Sequence, residues 1–182
     1  MSDDVSSRLR VMTPPVSEPV SLSEAKLFLR IEHAAEDAVI TRAIASAREA
    51  CEHYLGSALL PQSLSFTGAC DGRIRLMLPF GPATAIDAVT VTDDAGAETE
   101  LVETDYRLSI DGYSVFFDTA PSGAFVTVEY VAALADTANA LPALLKQGIL
   151  HHVGAWMEQR EGAAPMPLAS LACYQPYRRV RL

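Results

Sequence analysis

The hydrophobic period of this chain changes twice, from 3.6 residues to 2 and back again, and that pattern restricts the fold to a helical part interrupted by a β part. Over residues 36–55, Val39, Ile40, Ala43, Ile44, Ala47, Cys51, Tyr54 and Leu55 recur at steps of three and four, the apolar stripe of one helix. Gly56 follows at the position of a left-handed cap, and Pro61 forbids continuation. Ahead of it, Ser21-x-x-Glu24 reads as a capping box that opens a shorter helix over residues 22–31. Pro14, Pro15 and Pro19 keep the first twenty residues extended.

From Gln62 onward the period is 2. Residues 73–78 alternate, with Ile74, Leu76 and Leu78 on one face, and runs at 86–92, 106–110, 113–117 and 125–131 are rich in β-branched and aromatic residues. Asp111-Gly112 predicts a two-residue hairpin. Short strands with no helix between them imply an antiparallel sandwich or small barrel. Pro142 then opens a third helix reaching about residue 161, with Leu145, Ile149, His152 and Trp156 on one face. The expected class is α+β: a small helical bundle of three main helices, an inserted antiparallel β-sandwich or barrel-like unit, and extended N- and C-terminal arms. The expected divisions are an arm over 1–20, two helices within 21–61, the β unit over 62–135, the third helix within 136–162 and a docking tail over 163–182.

Composition narrows the function classes. With 49% hydrophobic and 20% charged residues, the chain has the make-up of a folded protein. Strictly apolar runs stop at five or six residues, far short of the ~20 that cross a bilayer, so no membrane partner is expected. Met1-Ser2-Asp3-Asp4 carries neither part of a secretory signal, and three scattered cysteines form no CxxC pair, so a reducing compartment is expected.

No motif argues for catalysis or a cofactor. Neither GxxxxGK[ST], GxGxxG nor GxSxG is present. Glu49, Cys51, Glu52 and His53 lie close on one predicted helix, but Cys51 belongs to its apolar stripe, where a thiol behaves as a small hydrophobe. His151 and His152 point about 100° apart on a helix and suit a core edge better than a shared ion. The Asp93-Asp94 turn lacks the alternating oxygens of a calcium loop. The expectation is no cofactor, no metal and no enzyme.

Charge is the more informative signal. The net charge is −9, and residues 84–139 hold eleven acidic residues against one basic, Arg107. The remainder is near neutral and ends in the basic, aromatic stretch Tyr177-Arg178-Arg179-Val180-Arg181. Such acidity disfavours duplex binding, which depends on Lys and Arg neutralising phosphates.

In order and spacing, the chain resembles the head–tail connector (adaptor) proteins of long-tailed bacteriophages and phage-derived gene transfer agents. The resemblance rests on Leu22-Ser23-Glu24-Ala25-Lys26, Leu29-Arg30-Ile31, Glu36-Asp37 with Ile40, then Ala47, Glu52, Tyr54, Gly56 and Leu60-x-Gln62. It continues through Leu78-Pro79-x-Gly81-Pro82, Ile86-x-x-Val89, Asp105-Tyr106 and Val128-Glu129-Tyr130. It closes with Leu141-Pro142-x-x-Leu145-Lys146, Glu158-x-Arg160-Glu161 and Pro176-Tyr177-Arg178-Arg179-Val180-Arg181. Val131-Ala132-Ala133 departs from the glycine-containing turn expected there.

The resemblance implies a structural protein of the virion or gene transfer agent neck, assembled in the bacterial cytoplasm. It implies a homo-oligomeric ring, typically of twelve subunits, that binds the portal protein, extends the DNA channel and meets a head-closure (stopper) or tail protein. DNA then passes without specific binding. Tyr174, Pro176, Tyr177, Arg178, Arg179, Val180, Arg181 and Leu182 become the candidate docking tail. Asp93, Asp94, Glu98, Glu100 and Glu103 become the candidate lumen-facing surface. The alternatives are another neck component, such as a head-closure or tail-completion protein, or a small enzyme or ligand-binding protein with its site in the β unit.

Overall fold

The computed structural model describes residues 8–158 and 166–178. The chain divides into two compact units, Met1–Pro15 with Pro61–Leu134 and Val16–Leu60 with Ala135–Leu182.

The second unit is helical: α1 (Leu22–Leu29), α2 (Asp37–Leu55), α3 (Ala143–Glu158) and α4 (Leu168–Tyr174). Both arms of the capping box form. Ser21 Oγ accepts from the Glu24 amide at 3.2 Å, and the Glu24 carboxylate accepts from the Ser21 amide at 2.8 Å. Helix α1 stops two residues earlier than its pattern predicts, because Arg30 turns left-handed (φ 59°) and the Ile31 amide folds back onto the Lys26 carbonyl at 3.0 Å. Gly56 takes the same left-handed cap after α2 (φ 66°). Ile40, Ile44, Ala47 and Cys51 of α2 meet Leu145, Ile149 and Val153 of α3 in one core. Val39, at the margin of the predicted stripe, stays 45% exposed.

The fourth helix corrects the expectation of an extended tail. Gly148 of α3 leaves a notch that the Tyr174 ring fills, and a Cβ there would also lie 2.9 Å from Cys173 Cβ. Ser170 Oγ donates to the Gly148 carbonyl at 2.8 Å. Seven residues flanked by prolines carry too short a period to announce this helix, and contacts with α3 stabilise it.

Among its described residues the first unit holds eight strands: β1 (Arg8–Thr13), β2 (Gln62–Ala69), β3 (Arg75–Met77), β4 (Ala83–Thr92), β5 (Glu98–Glu100), β6 (Tyr106–Leu108), β7 (Ser114–Phe117) and β8 (Phe125–Ala132). They form a five-stranded antiparallel sheet, order β1-β2-β8-β4-β5, and a three-stranded one, order β3-β7-β6. The barrel alternative falls away, since among the described residues the larger sheet has two open edges, β1 and β5. Leu64, Phe66, Val89, Val91, Val126, Val128 and Tyr130 fill its inner face, and Val115 and Phe117 of β7 are buried as well. Tyr130 donates its hydroxyl proton to the Phe80 carbonyl at 2.8 Å, which satisfies a fully buried polar group.

Three expectations change in this unit. Part of the N-terminal arm is a strand: Arg8–Thr13 pairs with β2 ahead of Pro14, and an edge strand with mostly exposed side chains shows no apolar period. The strand expected over 73–78 shrinks to β3, leaving Ile74 56% exposed. Asp111-Gly112 closes a longer loop than a two-residue hairpin. The Ser109 and Ser114 backbones pair at 2.8 Å, the Gly112 amide returns to the Ser109 carbonyl at 2.9 Å, and Gly112 supplies the left-handed residue (φ 70°).

Candidate functional site

The acidic residues singled out in the sequence gather at one margin of the β unit. β4 runs into a turn in which Asp93 Oδ1 accepts from the Ala95 and Ala97 amides, each at 2.8 Å. Gly96 (φ 86°) then reverses the chain into the edge strand β5. Asp94, Glu98, Glu100 and Glu103 are exposed, and none makes an ion pair with a described residue. Asp93, Asp105 and Asp118 also border a cleft of about 410 Å³ beside this margin. Arg107 does not neutralise it. Its guanidinium lies 5.5 Å from the centre of the Phe116 ring, and Arg75 lies 5.6 Å from the same ring. The Tyr106 hydroxyl registers the resulting field: burial, then the charges of Glu103 and Glu100, raise its pKa.

The Asp93-Asp94 turn is thus tied to its own backbone, and no group of three or more His, Cys, Asp or Glu among the described residues is arranged to hold a metal. The residues weighed as ligands on α2 have other roles. Cys51 is fully buried, and its thiol pKa is pushed up to about 12 by burial. Glu52 accepts from Arg48 Nη1 at 2.7 Å and from the Leu59 amide at 2.9 Å, which holds the turn after α2. Arg48 also donates to Glu18 at 2.9 Å. Burial alone would lower the Arg48 pKa, but the carboxylates of Glu52 and Glu18 outweigh it and raise it. His53 Nδ1 lies 2.9 Å from the Glu49 carbonyl. His152 is buried with its ring centre 4.4 Å from that of Trp156, and burial lowers its pKa.

The candidate docking tail splits. Tyr174 belongs to the core of the helical unit: its ring fills the Gly148 notch, and its hydroxyl sits beside the Cys51 thiol and Ser170 without a well-formed hydrogen bond. It is removed from the docking set, because a side chain packed inside its own chain cannot reach a partner. Pro176, Tyr177 and Arg178 are exposed, with Arg178 stacked 5.1 Å from the Tyr54 ring centre. Arg179, Val180, Arg181 and Leu182 lie outside the described residues.

With that geometry in place, known proteins offer a direct comparison. The model of the head completion protein family matches residues 18–163. The chain belongs to that family. A member of it, this protein also shares its fold with a chain from the "Neck of empty GTA particle computed with C6 symmetry", at a TM-score of 0.78 and 25% identity over 96% of this chain and 97% of that one. A chain from the "Virion of native gene transfer agent (GTA) particle" matches at 0.78 and 24%, over 96% of each chain. One from the "Neck of native GTA particle computed with C12 symmetry" matches at 0.66 and 25%, over 96% of this chain and 97% of that one. No curated protein sequence matches. As a head completion family protein with the fold of a particle neck component, the chain is thus placed with the head–tail connectors that its sequence resembles.

Proposed function

We propose that this protein works as a head–tail connector: a ring, twelve subunits in the fullest form, seated below the portal, which lengthens the DNA channel and provides the platform for the tail. The fold likeness to gene transfer agent necks across nearly the whole chain is the observation that carries this reading. The role is mechanical, so the residues act through shape and charge. The margin of Asp93, Asp94, Glu98, Glu100 and Glu103 borders the channel, where its negative potential keeps passing DNA from adhering. The protein assembles in the bacterial cytoplasm and remains in the particle neck.

The end of the chain, from Pro176 to Leu182, is the anchor, and its described residues Pro176, Tyr177 and Arg178 are exposed. Its arginines meet carboxylates of the portal protein or of the neighbouring subunit. Each exposed pair contributes only about 0–1 kcal/mol, and repetition around a ring supplies the avidity. Deleting residues 176–182 spares Tyr174 and leaves the helical unit folded by circular dichroism, yet stops the chain joining heads. Truncated chains that still yield tailed particles would refute the anchor.

A further inference from the structure

The two open edges of the five-stranded sheet carry opposite charge, on the same face and at the same level. Arg8 pairs with Thr67, Thr67 with Thr127, Thr127 with Thr90, and Thr90 with Glu100, so one cross-strand row runs from edge to edge. Directly opposed residues share a face. This row therefore lies on the face away from the core side chains Phe66, Val128 and Val89, which form another row. The Thr67 and Thr127 hydroxyls, 2.9 Å apart, tie its centre. Arg10 and Glu98 lie two residues from Arg8 and Glu100 along their strands, hence on the same face. All four are exposed, and none makes an ion pair with a described residue. Four antiparallel pairings separate the edges, so β1 and β5 run in the same chain direction.

We infer that the β1 edge of one copy meets the β5 edge of the next, with Arg8 facing Glu100 and with Arg10 and Glu98 flanking that pair on either side. The contact rests on the ring reading above and supplies its seam. Two different, complementary patches on opposite sides of a subunit make a head-to-tail interface, the kind that closes into a ring. Unpaired edges otherwise invite indiscriminate strand addition, and opposite charges select the correct neighbour. Because the edge strands run in the same direction, Glu98 lies diagonal to Arg8 and Arg10 diagonal to Glu100, about 7–8 Å apart and within reach of arginine, so Arg8 has two carboxylates in reach and Glu100 has two guanidinium groups. The seam divides the acidic margin: Glu98 and Glu100 join neighbours, while Asp93, Asp94 and Glu103 are left for the channel.

The test uses the full chain in assembling particles, with the neck imaged in parallel. Arg8→Cys together with Glu100→Cys should give, on oxidation, a ladder of cross-linked multimers. Each single variant gives none, which controls for Cys51, Cys70 and Cys173. Reversing one edge (Arg8→Glu with Arg10→Glu) should cut tailed particles by about tenfold or more. Adding Glu98→Arg and Glu100→Arg to the same chain should restore them. Intact rings without a ladder, or an edge reversal without effect, would overturn the seam and leave the ring standing. Wild-type necks with no ring of this chain would overturn both.

Discussion

The two units handle charge in opposite ways. In the helical unit, ionic groups close on one another: Arg48 with Glu52 and Glu18, Lys26 with Asp37 at 2.6 Å, Lys146 with Glu24 at 3.0 Å. In the β unit the one ion pair among described residues joins Arg73 and Asp71, and of the acidic margin only Asp93 is tied to its own turn, while Asp94, Glu98, Glu100 and Glu103 are exposed. Charge in the helical unit specifies how helices and turns meet. In the β unit Asp94, Glu98, Glu100 and Glu103 make no ion pair with a described residue, and exposed residues of that kind are available for assembly and for the channel. The fold is thus divided between a part whose ion pairs are structural and a part most of whose acidic charge is surface.

The largest test of this contrast is the buried network. Glu52→Ala leaves Arg48 buried without its shortest partner and should cost about 3–5 kcal/mol, read from denaturant unfolding followed by the fluorescence of the single tryptophan, Trp156, in α3. Next comes the notch. Gly148→Ala puts a methyl group into Tyr174 and Cys173 and should cost about 1–3 kcal/mol in the same assay.

The cap is smaller. Ser21→Ala should cost about 1 kcal/mol. Glu24 carries the pH signature. The Ser21 amide and hydroxyl, followed by Lys146, lower its pKa from 4.5 to about 2. A carboxylate with a depressed folded pKa stabilises above its unfolded value, and that stability fades as pH falls from 4.5 towards 2. Glu24→Gln should therefore flatten the acid limb of the stability profile over that window. At the other extreme, Glu98→Gln with Glu100→Gln should shift monomer stability by under about 0.5 kcal/mol while reducing assembly. A large loss of stability there would erase the contrast between the units.

What the sequence discloses follows the range of the interactions. The Ser21 cap, the Gly56 stop and the switch of period at Gln62 are local, set by residues within a few positions, and they are legible from the order of residues alone. Helix α4 and strand β1 are not. The first depends on Gly148, more than twenty residues upstream of Ser170, and the second on β2, over fifty residues downstream. The acidic excess can be counted in the sequence, whereas its arrangement cannot. Asp93 proves tied to its own turn, and the alignment of Arg8 with Glu100 emerges only from four successive registers. Tyr174 is legible as an aromatic beside a basic tail, yet its burial depends on a glycine in another helix.

The most direct measurement is electron cryomicroscopy of tail-bearing particles that contain this chain. The account predicts one ring of it between portal and tail, with the Asp93–Asp94 turn towards the channel and the β1 and β5 edges of neighbours in contact. A neck without this chain, or a ring with that turn on its outer surface, would contradict it.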